Sequence, residues 1–424
     1  MTLNRRNLLK SGALLSATSL LPSSAQPQAP QDLPKAFQAL RPLGDRVKPI
    51  APEEFRARVA KAQKLMTDAD PQVSTLYLTP GSSLYYFSGV RWGTSERLLA
   101  LVIPRAGDPL VVCPAFEEGR LHEQLRWPIE IRVWQEDENP SGIAAKWLAE
   151  RGMRTGRIAI EETTRYTFFD HLRDAAPNFE YSSGDPLTIS CRGQKSGHEL
   201  ELMRLACEAT FEVFRAVFAS LQTGMSQSDI AALVERGFSR MGLRGGALVL
   251  LGEWAALPHG TVKPQKLTEG EVVLIDGGTS VEGYQSDVTR CGVIGKPSDK
   301  LLRAFEILRR AQDAALDACC SGKLSGTVDD AARAIVTSAG FGPDYKFFTH
   351  RLGHGIGLDG HEHPYLVRGS KTILQPGMTF SNEPGIYVRG DYGVRLEDDM
   401  VVTPGGAAQL LTPGFSPSFE KPVG

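Results

Sequence analysis

Two segments in the C-terminal half repeat one pattern: a glycine turn, an apolar strand, and an acid six residues beyond the glycine. The first runs from Lys266 through Gly270 and Val272-Val273-Leu274-Ile275 to Asp276-Gly277-Gly278, and the second from Thr372 through Gly377 and Met378-Thr379-Phe380 to Glu383-Pro384-Gly385. A turn and a second strand then deliver another acid, Asp287 in Ser286-Asp287-Val288-Thr289-Arg290 and Glu397 in Val394-Arg395-Leu396-Glu397-Asp398. Carboxylates in or at the ends of apolar strands are headed for a core, where each uncompensated charge costs several kcal/mol or more. Four cannot all stay ionised there without cations, and two divalent ions would neutralise them.

The repetition extends upstream. Thr223-Gly224-Met225-Ser226 and the apolar-periodic stretch to Gly242 answer to Gly322-Lys323-Leu324-Ser325 and the stretch to Gly342, with Ser or Thr opening a helix and small residues closing it. Each half reads as helix, helix, hairpin, with acids in equivalent places. A duplication with a site between its halves is the simplest account.

A chain of 424 residues that is 42% hydrophobic suggests roughly two or three domains with ordinary cores. Its 47 basic and 49 acidic residues nearly cancel, which gives no reason to expect a nucleic-acid partner. No apolar run reaches the length that spans a membrane, so no stable membrane insertion is expected. Residues 1–25 carry Asn4-Arg5-Arg6-Asn7, a modestly apolar run from Ser11 to Leu21 and Ser23-Ser24-Ala25, and resemble a twin-arginine signal with a small-x-small cleavage site. The expected location is therefore periplasmic or secreted; an uncleaved tail is the plainer alternative. Six cysteines without a Cys-x-x-Cys pair read as structural thiols.

Residues 26–50, rich in Pro, Gln and Ala, read as a linker and lead-in. From 51 to 186, a helical pattern at Glu53 to Met66 precedes short β-rich runs at Val73 to Leu78, Leu98 to Ile103, Leu110 to Cys113, Ile129 to Trp134 and Arg157 to Ile160, the alternation of an α/β domain. Glu199 to Ser220 is a long helical pattern that opens the catalytic half, 187–424.

A further candidate ligand lies before the second hairpin, in His350-Arg351-Leu352-Gly353-His354-Gly355-Ile356-Gly357-Leu358-Asp359-Gly360-His361-Glu362-His363. Four of the chain's eight histidines fall in this stretch, beside the acid-bearing repeat. The spacing is not that of a His-Glu-x-x-His zinc motif.

Asp276, Asp287, His354, Glu383 and Glu397, in these contexts, resemble the five-ligand set of the pita-bread metallopeptidases. Ala255-Ala256-Leu257-Pro258-His259-Gly260 is similar to the substrate-histidine motif of their Xaa-Pro aminopeptidase and prolidase branch. The resemblance covers about residues 51 to 420. It implies a pita-bread catalytic domain with an internal pseudo-two-fold repeat, behind a smaller creatinase-like α/β domain, and hydrolysis of the bond before proline in short peptides. A homodimer is the expected assembly.

Four carboxylates and one imidazole make a hard donor set suited to two ions of manganese, with cobalt, zinc or iron as alternatives. A water shared by two such ions would be acidified towards neutrality and attack an amide carbonyl. By the resemblance, Asp276 and Glu397 bridge the metals, Asp287 completes one and His354 the other. Glu383 is ligand and proton acceptor. His259 and His361 match the family's substrate histidines, and His350 a pocket histidine. Arg395 precedes Glu397 by two residues, shares its strand face and is an orienting residue. Taken singly, each residue has a plainer reading: Asp276-Gly277-Gly278 and Glu383-Pro384-Gly385 as turns, Arg395 as a strand-face ion pair, His363 as a rim residue. Their coincidence in one ordered repeat favours the site. Arg368 could bind a substrate carboxylate or be a solvated loop residue. Two other functions stay open at this point, a related hydrolase of non-peptide amides or amidines and an inactive binding module of the same fold.

Overall fold

The computed structural model describes residues 33–414 and 417–424; the twin-arginine stretch lies outside the described residues. Among the described residues no helix is long and apolar enough to cross a membrane.

Helix α1 (Pro52–Asp68) leads into β1 (Thr75–Leu78), α2 (Ser82–Ser88), β2 (Ala100–Pro104), β3 (Leu110–Pro114), α3 (Glu118–Gln124), β4 (Glu130–Trp134), α4 (Pro140–Glu150), β5 (Gly156–Ile160), α5 (Tyr166–Ala175), β6 (Phe179–Ser183) and α6 (Asp185–Arg192). The six strands form one sheet in the order β4-β3-β2-β1-β5-β6, with β1–β2 and β2–β3 antiparallel and the outer pairs parallel. Strand alternation loads both faces: Leu76, Leu101 and Ile103 join one apolar cluster with α1, while Tyr77, Ala100 and Val102 join another with Trp147 and Leu172 of α4 and α5. The mixed sheet is the α/β unit expected, with a weakly apolar sixth strand, β6, that periodicity did not reveal. Part of the stretch read as linker is packed, since Phe37, Leu40, Leu43 and Ile50 are buried in the core that α7 shares. Its Pro-rich composition masked these apolar anchors.

The second half starts with α7 (Gly197–Phe218) and α8 (Gln227–Arg240), then β7 (Gly245–Leu251), β8 (Val272–Val281), β9 (Tyr284–Gln285) and β10 (Val288–Val293). It repeats with α9 (Asp299–Ala318), α10 (Gly326–Ser338), β11 (Gly353–Gly355), β12 (Glu362–Leu366), β13 (Thr379–Asn382), β14 (Gly385–Val388), β15 (Tyr392–Arg395), β16 (Asp398–Val401) and β17 (Gln409–Leu410). This is the pita-bread arrangement, with sheets β10-β8-β7 and β12-β11-β13-β16-β17 joined by a bridge between Thr289 and Glu397.

The duplication is written in matching hydrogen bonds. Gly224 N donates to Leu267 O and Leu267 N to Met225 O, as Gly322 N does to Leu374 O and Leu374 N to Lys323 O, all at 2.8 Å. Gly270 N donates to Ile294 O as Gly377 N does to Val402 O. That register corrects one expectation. Asp276 and Glu383 are equivalent, but seven residues before each of those two carbonyls stand Asp287 and Arg395, and five before stand Thr289 and Glu397. The second acid of each half therefore sits two residues apart from the other in register, still on the same strand face. Four before stand Arg290 and Asp398, equivalent positions that form a buried ion pair with each other.

Gly277 and Gly278 also differ from their reading as a turn. β8 runs on through them to Val281, and the chain turns at Glu282 and Gly283, both at positive φ. A Cβ on Gly277 would lie 2.2 Å from Gly246 O, and one on Gly278 2.0 Å from Ser286 O. They are glycines because neighbouring backbones press on the strand beside Asp276.

Candidate metal centre

Strand alternation decides where the acids point. In the first sheet Val273 and Ile275 face the α7 core, whereas Val272, Leu274 and Cys291 face the second half; Asp276 and Asp287 share the parity of the latter set. In the second sheet Phe380 and Met400 pack with α9 and α10, and Glu383 and Glu397 share the opposite parity, that of Val401, which faces the first half. All four carboxylates thus converge between the halves.

They line a cavity of about 430 Å³ together with Pro258, His259, His350, Arg351, His354, His361 and Arg395. Donor atoms of His354, Glu383 and Glu397 lie within 4.8 Å of one another, as do those of Asp276, Asp287 and Glu397. Glu397 belongs to both groups. The ring nitrogen Nε2 of His354 is 3.4 Å from Glu383 Oε1 and 3.8 Å from Asp287 Oδ2. Its Nδ1 lies 3.0 Å from Gly355 O, a bond that only the Nδ1–H tautomer makes, so the Nε2 lone pair faces the acids.

Burial, then repulsion from Asp276, holds the Asp287 carboxyl well above the usual range; burial, then Asp287 and Glu383, does the same to Glu397. Burial pushes Glu383 up to about 8, against the opposing pull of Arg395. Burial drives His354 down to about 3, with His361 adding to it. Burial disfavours charge on every one of these groups, and for Asp287 and Glu397 the neighbouring carboxylates add to it. Among the described residues lining the cavity, Arg395 is the one buried guanidinium; it pairs with Asp276 and leaves three carboxylates over. The donor set therefore fits divalent ions: oxygen-rich, one neutral imidazole, and too acidic to be left alone.

Arg395 holds more than Asp276. Its Nε donates to Thr289 Oγ1 at 3.1 Å, and that hydroxyl donates to Glu397 Oε2 at 2.6 Å. Its Nη1 donates to Tyr387 OH at 3.0 Å, which donates in turn to His350 Nε2 at 2.7 Å, while His350 Nδ1 donates to Arg351 O at 2.7 Å. Burial, then Arg395, pushes His350 down to about 3, so it is neutral with both nitrogens engaged. Ser381 Oγ donates to Glu383 Oε1 at 3.3 Å and accepts from His354 N at 3.1 Å. Asp287 N donates to Asp399 Oδ2 at 3.0 Å, to which Cys207 Sγ of α7 also points at 3.3 Å.

Every residue singled out in the sequence as a ligand or catalytic group lines this cavity. His259 is exposed at its mouth, and the His361 ring stacks on His354 with centroids 3.6 Å apart. His363 and Arg368 stay outside; Arg368 is exposed and pairs with Asp344 at 2.8 Å. Thr289, Ser381, Tyr387, Arg351 and Asp399 had not been assigned these parts. Thr289 alone left a usable signal: it follows Asp287 by two residues on the same strand, as Glu397 follows Arg395.

Residues 201–404 match the family description "Metallopeptidase family M24" and residues 58–194 match "Creatinase/Prolidase N-terminal domain". The chain is 36% identical over 363 residues to a probable dipeptidase PepE of Mycobacterium bovis, covering 84% of this chain and 94% of that one. It is 33% identical to a Xaa-Pro dipeptidase of Lactobacillus helveticus, covering 82% and 94%. The solved dipeptidase PepE of Mycobacterium ulcerans superposes with a TM-score of 0.78 at 33% identity, over 87% of this chain and 98% of that one.

Proposed function

Because the chain belongs to metallopeptidase family M24, with the creatinase/prolidase domain ahead of its catalytic half, we propose that it is a dinuclear Xaa-Pro dipeptidase that cleaves the bond before proline in short peptides. The observation that carries this reading is the convergence of four carboxylates and the His354 Nε2 lone pair in one cavity whose rim carries His259, His361 and Arg351. When bound, two divalent ions would acidify the attacking water and polarise the scissile carbonyl; manganese suits the donors best.

The chain's own residues do the rest. Asp276, Asp287, His354, Glu383 and Glu397 would hold the ions, and Arg395 and Thr289 fix the carboxylates of Asp276 and Glu397. Glu383 Oε1 is engaged by Ser381 and faces His354, which leaves Oε2 to take the proton from the attacking water. His361, which lines the cavity, is the residue to return a proton to the leaving nitrogen, and His259 at the mouth is the one to bind the substrate. His350, with both ring nitrogens engaged, orients Tyr387 and through it Arg395, and has no proton to offer a substrate. Arg351, with its guanidinium 4.0 Å from the Tyr365 ring centre, is the cation at the rim for the carboxylate of a dipeptide. Tyr387 spends its hydroxyl between Arg395 and His350, which leaves Pro258 as the apolar wall of the cavity for a proline ring.

A tertiary amide offers no N–H and needs a proton at its leaving nitrogen. Replacing Pro by Ala in an otherwise identical Xaa-Pro dipeptide should lower kcat/KM at least about tenfold, within the ~1–3 kcal/mol that a few buried methylenes contribute. Equal turnover of both peptides would refute the proline preference. Turnover of neither would shift weight to a non-peptide amide.

Export by the twin-arginine route is part of the proposal, supported by Arg5-Arg6 and the apolar run behind them. A reporter fused behind residues 1–40 should reach the periplasm of a bacterial host and stay inside when both arginines become lysine; a reporter retained in both cases would count against it.

A further inference from the structure

His361 lines two cavities at once, the acid-lined one of about 430 Å³ and another of about 270 Å³ behind it, floored by Arg192, Asp359 and Glu362. Its ring is therefore free of packing on both of those sides, and stacking on His354 restrains one face only. Arg351 Nη2 approaches its Nδ1 at a long 3.5 Å on the exposed side, and the backbone of its loop supplies the rest of its placement. That loop is tied by the two acids flanking the histidine. Asp359 Oδ2 and Glu362 Oε2 both accept from Arg192 Nη2 at 2.6 Å, and Glu362 Oε1 accepts from Lys195 Nζ at 2.7 Å. Asp359 Oδ1 accepts from Ser82 Oγ at the start of α2, and Arg192 Nη1 donates to Ser83 Oγ at 3.1 Å. Burial would push the Glu362 carboxyl up, but Lys195 and Arg192 outweigh it and hold it ionised.

Arg192 ends α6 and Lys195 precedes α7, so both lie on the segment that carries the chain from the first sheet into the catalytic half. Lys195 N also donates to Gly377 O, the turn from which β13 sets out towards Glu383. We infer that Arg192 and Lys195 are positioning residues that clamp the 357–363 loop and so fix His361 over the substrate, making the first domain a structural part of the active site. This rests on the peptidase reading for the role of His361.

The test uses the metal-loaded full chain and a Xaa-Pro dipeptide. Arg192→Gln should lower kcat at least about tenfold, a fraction of what a 1 Å misplacement can cost, with KM and metal content within about twofold of wild type. Deuterium uptake across residues 357–363 should rise. Arg192→Lys, which keeps charge but lacks the fork, should fall between the two. In a His361→Ala background Arg192→Gln should cost no more than about twofold further, because the clamp acts through that ring. Losses that multiply across the double variant, or an Arg192→Gln protein with wild-type kcat and exchange, would overturn the inference. Should Arg192→Gln fail to fold, Asp359→Asn cuts the tether at its half-exposed end and should move kcat and exchange the same way. Should the wild type cleave no Xaa-Pro peptide, the peptidase reading falls on its own, and unchanged loop exchange in Arg192→Gln would separately sink the clamp.

Discussion

Glu383→Gln is expected to lower kcat for a Xaa-Pro dipeptide by at least ~100-fold, the lower end of what a positioned general base contributes. Glutamine preserves the shape of the side chain and an oxygen for the Ser381 hydroxyl and for a cation. It removes the negative charge and the ability to take a proton. In the metal-free site, burial keeps that proton on Glu383 up to about pH 8, so the residue becomes a base only when divalent charge replaces it. The sign for stability follows: with its folded value raised, the Glu383 carboxyl weakens the metal-free fold as pH climbs from the ordinary 4.5 towards 8. Measuring kcat together with metal content separates the base from the ligand. Turnover within tenfold of wild type, at undiminished metal content, would remove Glu383 from the proton path.

Arg290→Met should be the most destabilising single change among the residues around the centre. Arg290 is 1% exposed, and its guanidinium reaches Asp398 across the equivalence of the two halves as well as the carbonyls of Thr289 and Glu397 at 2.9 and 2.6 Å. Gln312 of α9 and Thr412 hold the other approaches to Asp398, at 2.9 and 2.7 Å. Methionine fills much of the volume but strands a buried carboxylate, and breaking such a pair costs about 3–5 kcal/mol. Urea unfolding of the full chain reads this directly. A companion Asp398→Asn should recover part of the loss in the double variant, since it removes the stranded charge. A loss below about 1 kcal/mol for Arg290→Met alone would show that the two halves do not depend on this pair.

The sequence made the acids visible because a repeated glycine, strand and carboxylate is too regular to be accidental, and the pita-bread fold and metallopeptidase family follow from that repeat. Its errors have physical causes. Gly277-Gly278 looked like a turn because glycine serves both turns and crowded strands, and only the distance to Gly246 distinguishes them. The acids looked equivalent because the β14–β15 hairpin lengthens the second connection, and register is invisible without the hydrogen bonds. Asp399 could not be placed because its partner on α7, Cys207, stands far from it in the chain. Arg192 and Lys195 carried no signal in the sequence, because Asp359 and Glu362, far along the chain, meet them only on folding.

The most direct test of the account is metal stoichiometry followed through activity. Chain stripped by chelator and reloaded with manganese should bind two ions, release protons as the raised carboxyls ionise, and recover Xaa-Pro hydrolysis as occupancy approaches two per chain. Elemental analysis that finds no bound ion in chain still fully active in excess chelator would contradict it.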